Sequence, residues 1–120
     1  MYRLLPLLLL MLPFSDISGQ NEIPLDSTSH YIGKYVKVCA KVAGTFVTNS
    51  ASKVTLLNLG EDFPKTKFTV VIYEKDLPNF EFVPSEYYKN KSICVIGTIN
   101  EYKSKPQINA RFSNQIEVKE

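Results

Sequence analysis

The chain has 120 residues, with 14 basic against 12 acidic side chains and a formal net charge of +2. A length of this order supplies one modest hydrophobic core and excludes two independent domains. The weak positive balance permits a polyanionic partner without demanding one, and no charge run or low-complexity tract interrupts the sequence.

Residues 1–19 read as an export signal, not as fold. Arg3 supplies a positive lead-in, Leu4 to Leu12 is apolar except for Pro6, and Pro13 to Gly19 turns polar and small. The apolar run is far short of the roughly 20 residues that a membrane span requires. Cleavage is expected after Gly19, with Ile17 at the −3 position, and no Cys lies near the cut to take a lipid anchor. Removing this segment takes away one base (Arg3) and one acid (Asp16), so the charge stays at +2. The remaining chain has no segment that could span a membrane as a helix and is expected in the periplasm or outside the cell.

Residues 20–30 form a polar leader, expected to be loosely held. Tyr35 to Thr48 then alternates apolar and polar residues, the period of a half-buried strand, with a bend expected at Gly44. Asn49 to Ser52 is a turn, Val54 to Leu59 a second strand, and Glu61 to Lys65 a loop. Lys67 to Tyr73 is a third strand rich in β-formers. Pro78 and Pro84 exclude one long helix between Lys75 and Tyr88, leaving short turns near Asp76 to Phe80 and Ser85 to Tyr88. Ser92 to Tyr102 is a fourth strand, Lys103 to Lys105 a tight hairpin, and Pro106 to Arg111 a fifth; Gln115 to Val118 extends or follows it.

One pattern occurs twice. Tyr31 to Val42 returns as Tyr88 to Ile99, with Tyr31, Lys34, Val36, Val38 and Val42 matched by Tyr88, Lys91, Ile93, Val95 and Ile99. Val36, Val38, Ala40 and Val42 share one face of the first strand, which puts Cys39 on the other with Lys37 and Lys41. Ile93, Val95, Gly97 and Ile99 likewise put Cys94 on the outer face. The two cysteines face each other if these strands are neighbours. An exported protein keeps such a bridge, which contributes about 3–4 kcal/mol across so long a loop.

Strand, strand, strand, short helical or capping segment, strand, strand is the order of the five-stranded Greek-key barrel, the OB-fold, here spanning residues 31–120. That barrel pairs its first strand with its fourth, which would bring Cys39 to Cys94. A β-sandwich is the structural alternative and usually needs about seven strands. Phe46, Phe68 and Phe82 are expected in the core, and Tyr87 and Tyr88 in the capping segment.

Tyr31 to Cys39, Leu56 to Gly60, Phe63-Pro64, Phe68 to Ile72, Lys91 to Ile99, Lys105 to Ile108 and Gln115-Ile116 together resemble a group of small exported bacterial proteins. That group carries a nucleic-acid-binding-type OB domain, similar to OB domains found beside extracellular nucleases. The resemblance covers most of the chain after residue 30, carries no catalytic motif, and implies the OB-fold and nucleic-acid binding. Tyr73 stands where the group leads one to expect Trp, and the first hairpin has fewer basic residues.

OB barrels take ligands on the face of their second and third strands, between the first hairpin and the hairpin joining the last two. Lys53, Tyr102, Lys103 and Lys105 lie in those loops, with Thr69 and Tyr73 on the third strand and Lys37 and Lys41 on the outer face of the first. Lysines beside a tyrosine suit single-stranded DNA or RNA, because cations neutralise phosphate and rings stack on bases. The same residue types also serve as ordinary solubilising groups. An envelope protein and an oligosaccharide are the alternative partners.

No catalysis, cofactor or metal is expected. His30 is the sole histidine and precedes the first strand, so no nucleophile–His arrangement is available. Two outer-face cysteines do not make a zinc site. Arg111 is the one arginine after the leader, and Glu61-Asp62 the one adjacent acidic pair, expected to shape a solvated turn. Asn90-Lys-Ser92 matches a glycosylation acceptor, which matters only in a eukaryotic secretory host.

Overall fold

The alternation in residues 35–42 and 92–99 becomes the spine of the structure. A computed structural model describes residues 21–119; the segment read as an export signal lies outside the described residues. The strands are β1 (Glu22–Ile23), β2 (Tyr35–Val47), β3 (Val54–Leu59), β4 (Phe68–Tyr73), β5 (Ser92–Tyr102), β6 (Lys105–Asn109) and β7 (Ile116–Lys119). A 3-10 helix spans Glu74–Asn79, and the short helix α1 spans Pro84–Tyr87, with Pro84 at its first position, where a missing N–H costs nothing. Among the described residues no helix is long and apolar enough to cross a membrane.

The class is all-β. β2 pairs with β5 along its first half and with β3 along its second. The chain of pairings β2–β3–β4–β6–β5 therefore returns to β2. All of these are antiparallel except β4 with β6, which runs parallel. The side chains facing inward are those the alternation predicts: Val36, Val38 and Val42 from β2, Ile93, Val95 and Ile99 from β5, and Leu57, Phe68, Val70, Ile72 and Ile108 from the rest. Space is tight on the inner side of β5. A Cβ at Gly97 would lie 2.7 Å from Cγ2 of Ile108, so glycine leaves room for that side chain of the neighbouring β6.

Among the described residues the sheet has seven strands where five were expected. β7 follows β6 as a separate strand and pairs antiparallel with β5. The Gln115 side chain anchors the link between them: its Oε1 accepts from the N–H of Arg111 and Phe112 at 2.7 and 3.1 Å, and its Nε2 donates to the Ile96 carbonyl at 3.0 Å. β1 pairs parallel with Lys37–Val38, and two residues are too few to show a period.

The leader expected to be loose is part of the fold. Ile23 and Thr28 are buried, and Lys37 N–H donates to the Asn21 carbonyl at 2.8 Å. Residues Leu25–Tyr31 form a 3-10 helix with Leu25 packed on the core. Three side chains with apolar surface, set among polar neighbours, suffice to hold it.

Cys39 and Cys94 are register partners on β2 and β5 and form a disulfide, with a sequence separation of 55. Tyr88 is buried beneath the capping segment, and burial pushes its phenol up to about 12. Phe68 is core and Phe82 packs against it, stacked on Tyr87 at 3.9 Å between ring centroids.

Phe46 is not core. It is 58% exposed. The register between β2 and β3 slips between Val42 and Gly44, so one extra residue enters β2. Val42 still points inward opposite Leu59, but after the bulge Gly44 and Phe46 oppose Asn58 and Leu56 on the outer face. The inward position passes to Thr45, opposite buried Leu57, where its hydroxyl donates to the Ser85 carbonyl at 3.0 Å. A strand has period two, so a single inserted residue turns every later side chain over.

Candidate functional site

The outer face that the bulge exposes is the floor of a groove of about 890 Å³. Strand register sets its rows. Phe46, Leu56 and Val71 form one row across β2, β3 and β4, with Val54 opposite Tyr73 beside it. The next row is polar: Asn58, Thr69, Gln107 and Asn100 are successive partners across β3, β4, β6 and β5. It is hydrogen-bonded within itself. Thr69 Oγ1 donates to Asn58 Oδ1 at 3.2 Å, and Gln107 Nε2 donates to Asn100 Oδ1 at 2.8 Å.

One wall is the loop joining β3 to β4. Asp62 folds back over Gly44, where any Cβ would collide with the carboxylate. Its Oδ1 accepts from Asn58 Nδ2 at 3.0 Å and from the Phe63 N–H at 2.8 Å. The Asn58 amide first, then the Phe63 N–H, hold the Asp62 carboxyl below its ordinary range, with the Lys89 charge adding to them. Phe63 beside it is 81% exposed. Lys67 also lines this wall and lies 3.9 Å from Asp26, an exposed pair of small energetic weight.

The other wall is the β5–β6 hairpin. Tyr102 is 61% exposed, Lys103 Nζ lies 5.4 Å from its ring centroid, and Lys105 Nζ donates to the Thr66 carbonyl at 3.3 Å. Lys103 and Ser104 form a two-residue loop with φ of 50° and 68°, a left-handed conformation that side chains resist. Ser104→Gly is expected to stabilise the protein by about 0.5–1 kcal/mol. Thermal unfolding will show it as a rise of a few degrees in Tm; an unchanged or lower Tm would mean that the loop carries no such strain.

Of the side chains singled out from the sequence, Thr69, Tyr73, Tyr102, Lys103 and Lys105 line this groove. Lys53 does not line it. It sits at the start of β3, its backbone exchanging hydrogen bonds with Glu74. Lys37 and Lys41 lie on the first half of β2 either side of Cys39, paired with Ile96 and Ser92 of β5, and are not among the lining residues. They share the outer surface with the groove but lie on the half of β2 that pairs with β5, whereas the groove begins beyond the bulge, where β2 pairs with β3. His30 is exposed on the 3-10 helix and does not line the groove. Asp62 does shape its turn, as the adjacent acidic pair suggests, but its carboxylate also faces the groove lining.

Phe46, Phe63, Lys67 and the amides of Asn58 and Gln107 are additions that the sequence does not announce. The signal for Phe46 is Gly44: resetting the phase there turns it outward. The others depend on which strands become neighbours and on the path of a loop.

No described protein family and no curated protein matches the chain. Among solved structures that do match, one is provisionally described as an aspartyl-tRNA synthetase from Leishmania major Friedlin. It is 13% identical at a TM-score of 0.54, over 90% of this chain and 22% of that one. Another is provisionally described as a nucleic acid-binding lipoprotein from Klebsiella pneumoniae subsp. pneumoniae MGH 78578. It is 13% identical at a TM-score of 0.40, over 80% of this chain and 78% of that one. The likeness to the synthetase is one of fold alone, and this chain spans about a fifth of its length. The lower score of the second supports no argument.

Proposed function

We propose that the closed run of strands is an OB-fold barrel, and that the protein is an exported binding module whose groove takes single-stranded nucleic acid or another polyanion without catalysis. One observation carries this reading. Exposed rings of Phe46, Phe63, Tyr73 and Tyr102 share a single groove with Lys67, Lys103 and Lys105. Rings offer a stacking surface to any base, and ammonium groups neutralise the phosphates between them. The groove also lies where OB barrels take ligands, on the face of their second and third strands. The apolar run Leu4 to Leu12 and the disulfide favour export, because disulfides persist in oxidising compartments.

Fluorescence anisotropy of a labelled single-stranded oligonucleotide, followed across a salt series, tests this. Affinity is expected to fall linearly with salt on logarithmic axes, by about 0.7 of slope for each phosphate neutralised. Lys103→Ala/Lys105→Ala should weaken binding at low salt and flatten that slope by about 1.4. Absence of binding at low salt by folded, oxidised protein would remove the proposal.

A second reading rests on the amide row beside the rings, since stacked rings with neutral hydrogen-bonding groups also suit an oligosaccharide. Its binding would be insensitive to salt and to the loss of both lysines.

A further inference from the structure

Asp62 is out of place in a groove meant only for phosphate. Its carboxylate repels phosphate, yet it is built in: Asn58 and the Phe63 N–H fix it, and Gly44 leaves room for it. A carboxylate has about four acceptor positions. The two hydrogen bonds it receives both end on Oδ1, and among the described residues Oδ2 has no hydrogen-bond partner. The groove thus presents a fixed, charged acceptor beside rings that stack on any base.

The four bases differ in what they offer such an acceptor. Guanine alone presents two adjacent donors, N1–H and N2–H, on its Watson–Crick edge. Thymine and uracil present one N–H between two carbonyls, which a carboxylate repels. Adenine and cytosine present one amino donor next to a ring nitrogen whose lone pair is also repelled. Stacking is sequence-tolerant, so base choice must come from edge hydrogen bonds.

We infer that the Asp62 carboxylate reads the edge of a stacked base through Oδ2 and makes the groove prefer guanine. This rests on the single-strand reading above, and it makes the carboxylate a selector, with the lysines supplying general affinity. The row that holds Asn58 fixes its position, so the preference belongs to the folded groove and not to a mobile side chain.

The test is competition against a labelled thymidine strand of about ten nucleotides, a length one OB-fold accommodates. The unlabelled competitors are the same strand with one central dG, deoxyinosine, dA or dC. With wild-type protein the dG strand should compete on the order of tenfold better than all-thymidine. Deoxyinosine lacks the N2 amino group and should lose most of that advantage. Asp62→Asn keeps an oxygen for Asn58 and Phe63 and puts an amino group in place of Oδ2. It should abolish or invert the preference while all-thymidine binding is retained or rises.

Equal competition by dG and all-thymidine strands, with binding intact, would overturn this inference and leave the polyanion reading standing. So would a guanine preference that survives Asp62→Asn. If no strand binds, both fall. Should Asp62→Asn fail to fold, the deoxyinosine comparison on wild-type protein decides alone: a full loss of advantage supports the inference and an undiminished one overturns it.

Discussion

Cys39→Ala/Cys94→Ala is expected to lower the unfolding free energy by about 3–4 kcal/mol. The disulfide closes a long loop, with a sequence separation of 55 that contains β3, β4 and α1. In the unfolded chain it removes the many conformations in which those ends lie apart, and this loss grows with loop length. Alanine is the appropriate replacement because Cys94 is 2% exposed, and a serine there would bury a hydroxyl. For a domain of this size the change amounts to roughly 15–25 °C in Tm. Urea unfolding of oxidised wild type, reduced wild type and the double variant will measure it. Reduced wild type should match the variant. If the three midpoints coincide, the bridge adds nothing to stability, and β2–β5 pairing alone holds this part of the sheet.

Phe46→Ala should cost little stability and much affinity. An aromatic side chain truncated in a core loses about 3–5 kcal/mol through transfer and cavity terms. Phe46 is 58% exposed on the groove floor, so a loss under about 1 kcal/mol is expected instead. Binding of a single strand should weaken on the order of tenfold, the loss of one stacked base. Thermal unfolding and anisotropy on the same preparation separate the two effects. A collapse in Tm comparable to that of a core truncation would place Phe46 inside and take the bulge with it. Unchanged affinity in a stable variant would remove the ring from the binding surface.

These two outcomes probe the parts of the molecule that the sequence reveals to different degrees. Period-two alternation marks β2 and β5, because one face of each is buried and the other is not. The same alternation places Cys39 and Cys94 out of phase with the apolar residues, and their pairing needs only that the strands be neighbours. Pro78 and Pro84 rule out a long helix, and each sits in one of the two short helical segments, Pro78 inside Glu74–Asn79 and Pro84 opening Pro84–Tyr87.

The groove is less legible for a specific reason. Val36, Val38, Ala40, Val42 and Phe46 read as a single inward face along one strand. The extra residue between Val42 and Gly44 reverses the second half and moves Phe46 outward, while Lys37 and Lys41 miss the groove because their half of β2 pairs with β5 instead of β3. Gly44 hints at such a bulge, but it does not say whether the phase resets. The leader shows the same dependence: Ile23 and Leu25 stand in an otherwise mostly polar stretch, and only β2 beside Ile23 turns it into a buried strand.

Local periodicity, turn residues and proline positions by themselves determined the all-β class, the boundaries of β2, β3, β4 and β5 to within a residue, and the face on which each cysteine lies, since these depend on neighbours a few residues apart. Which strands pair, where the register slips, and how Asp62 comes to rest against Gly44 while Asn58, Thr69, Gln107 and Asn100 align from four strands were decided by tertiary structure alone. Those contacts join residues far apart in the chain, and their geometry exists only once the sheet has curled far enough for β2 to pair with both β3 and β5.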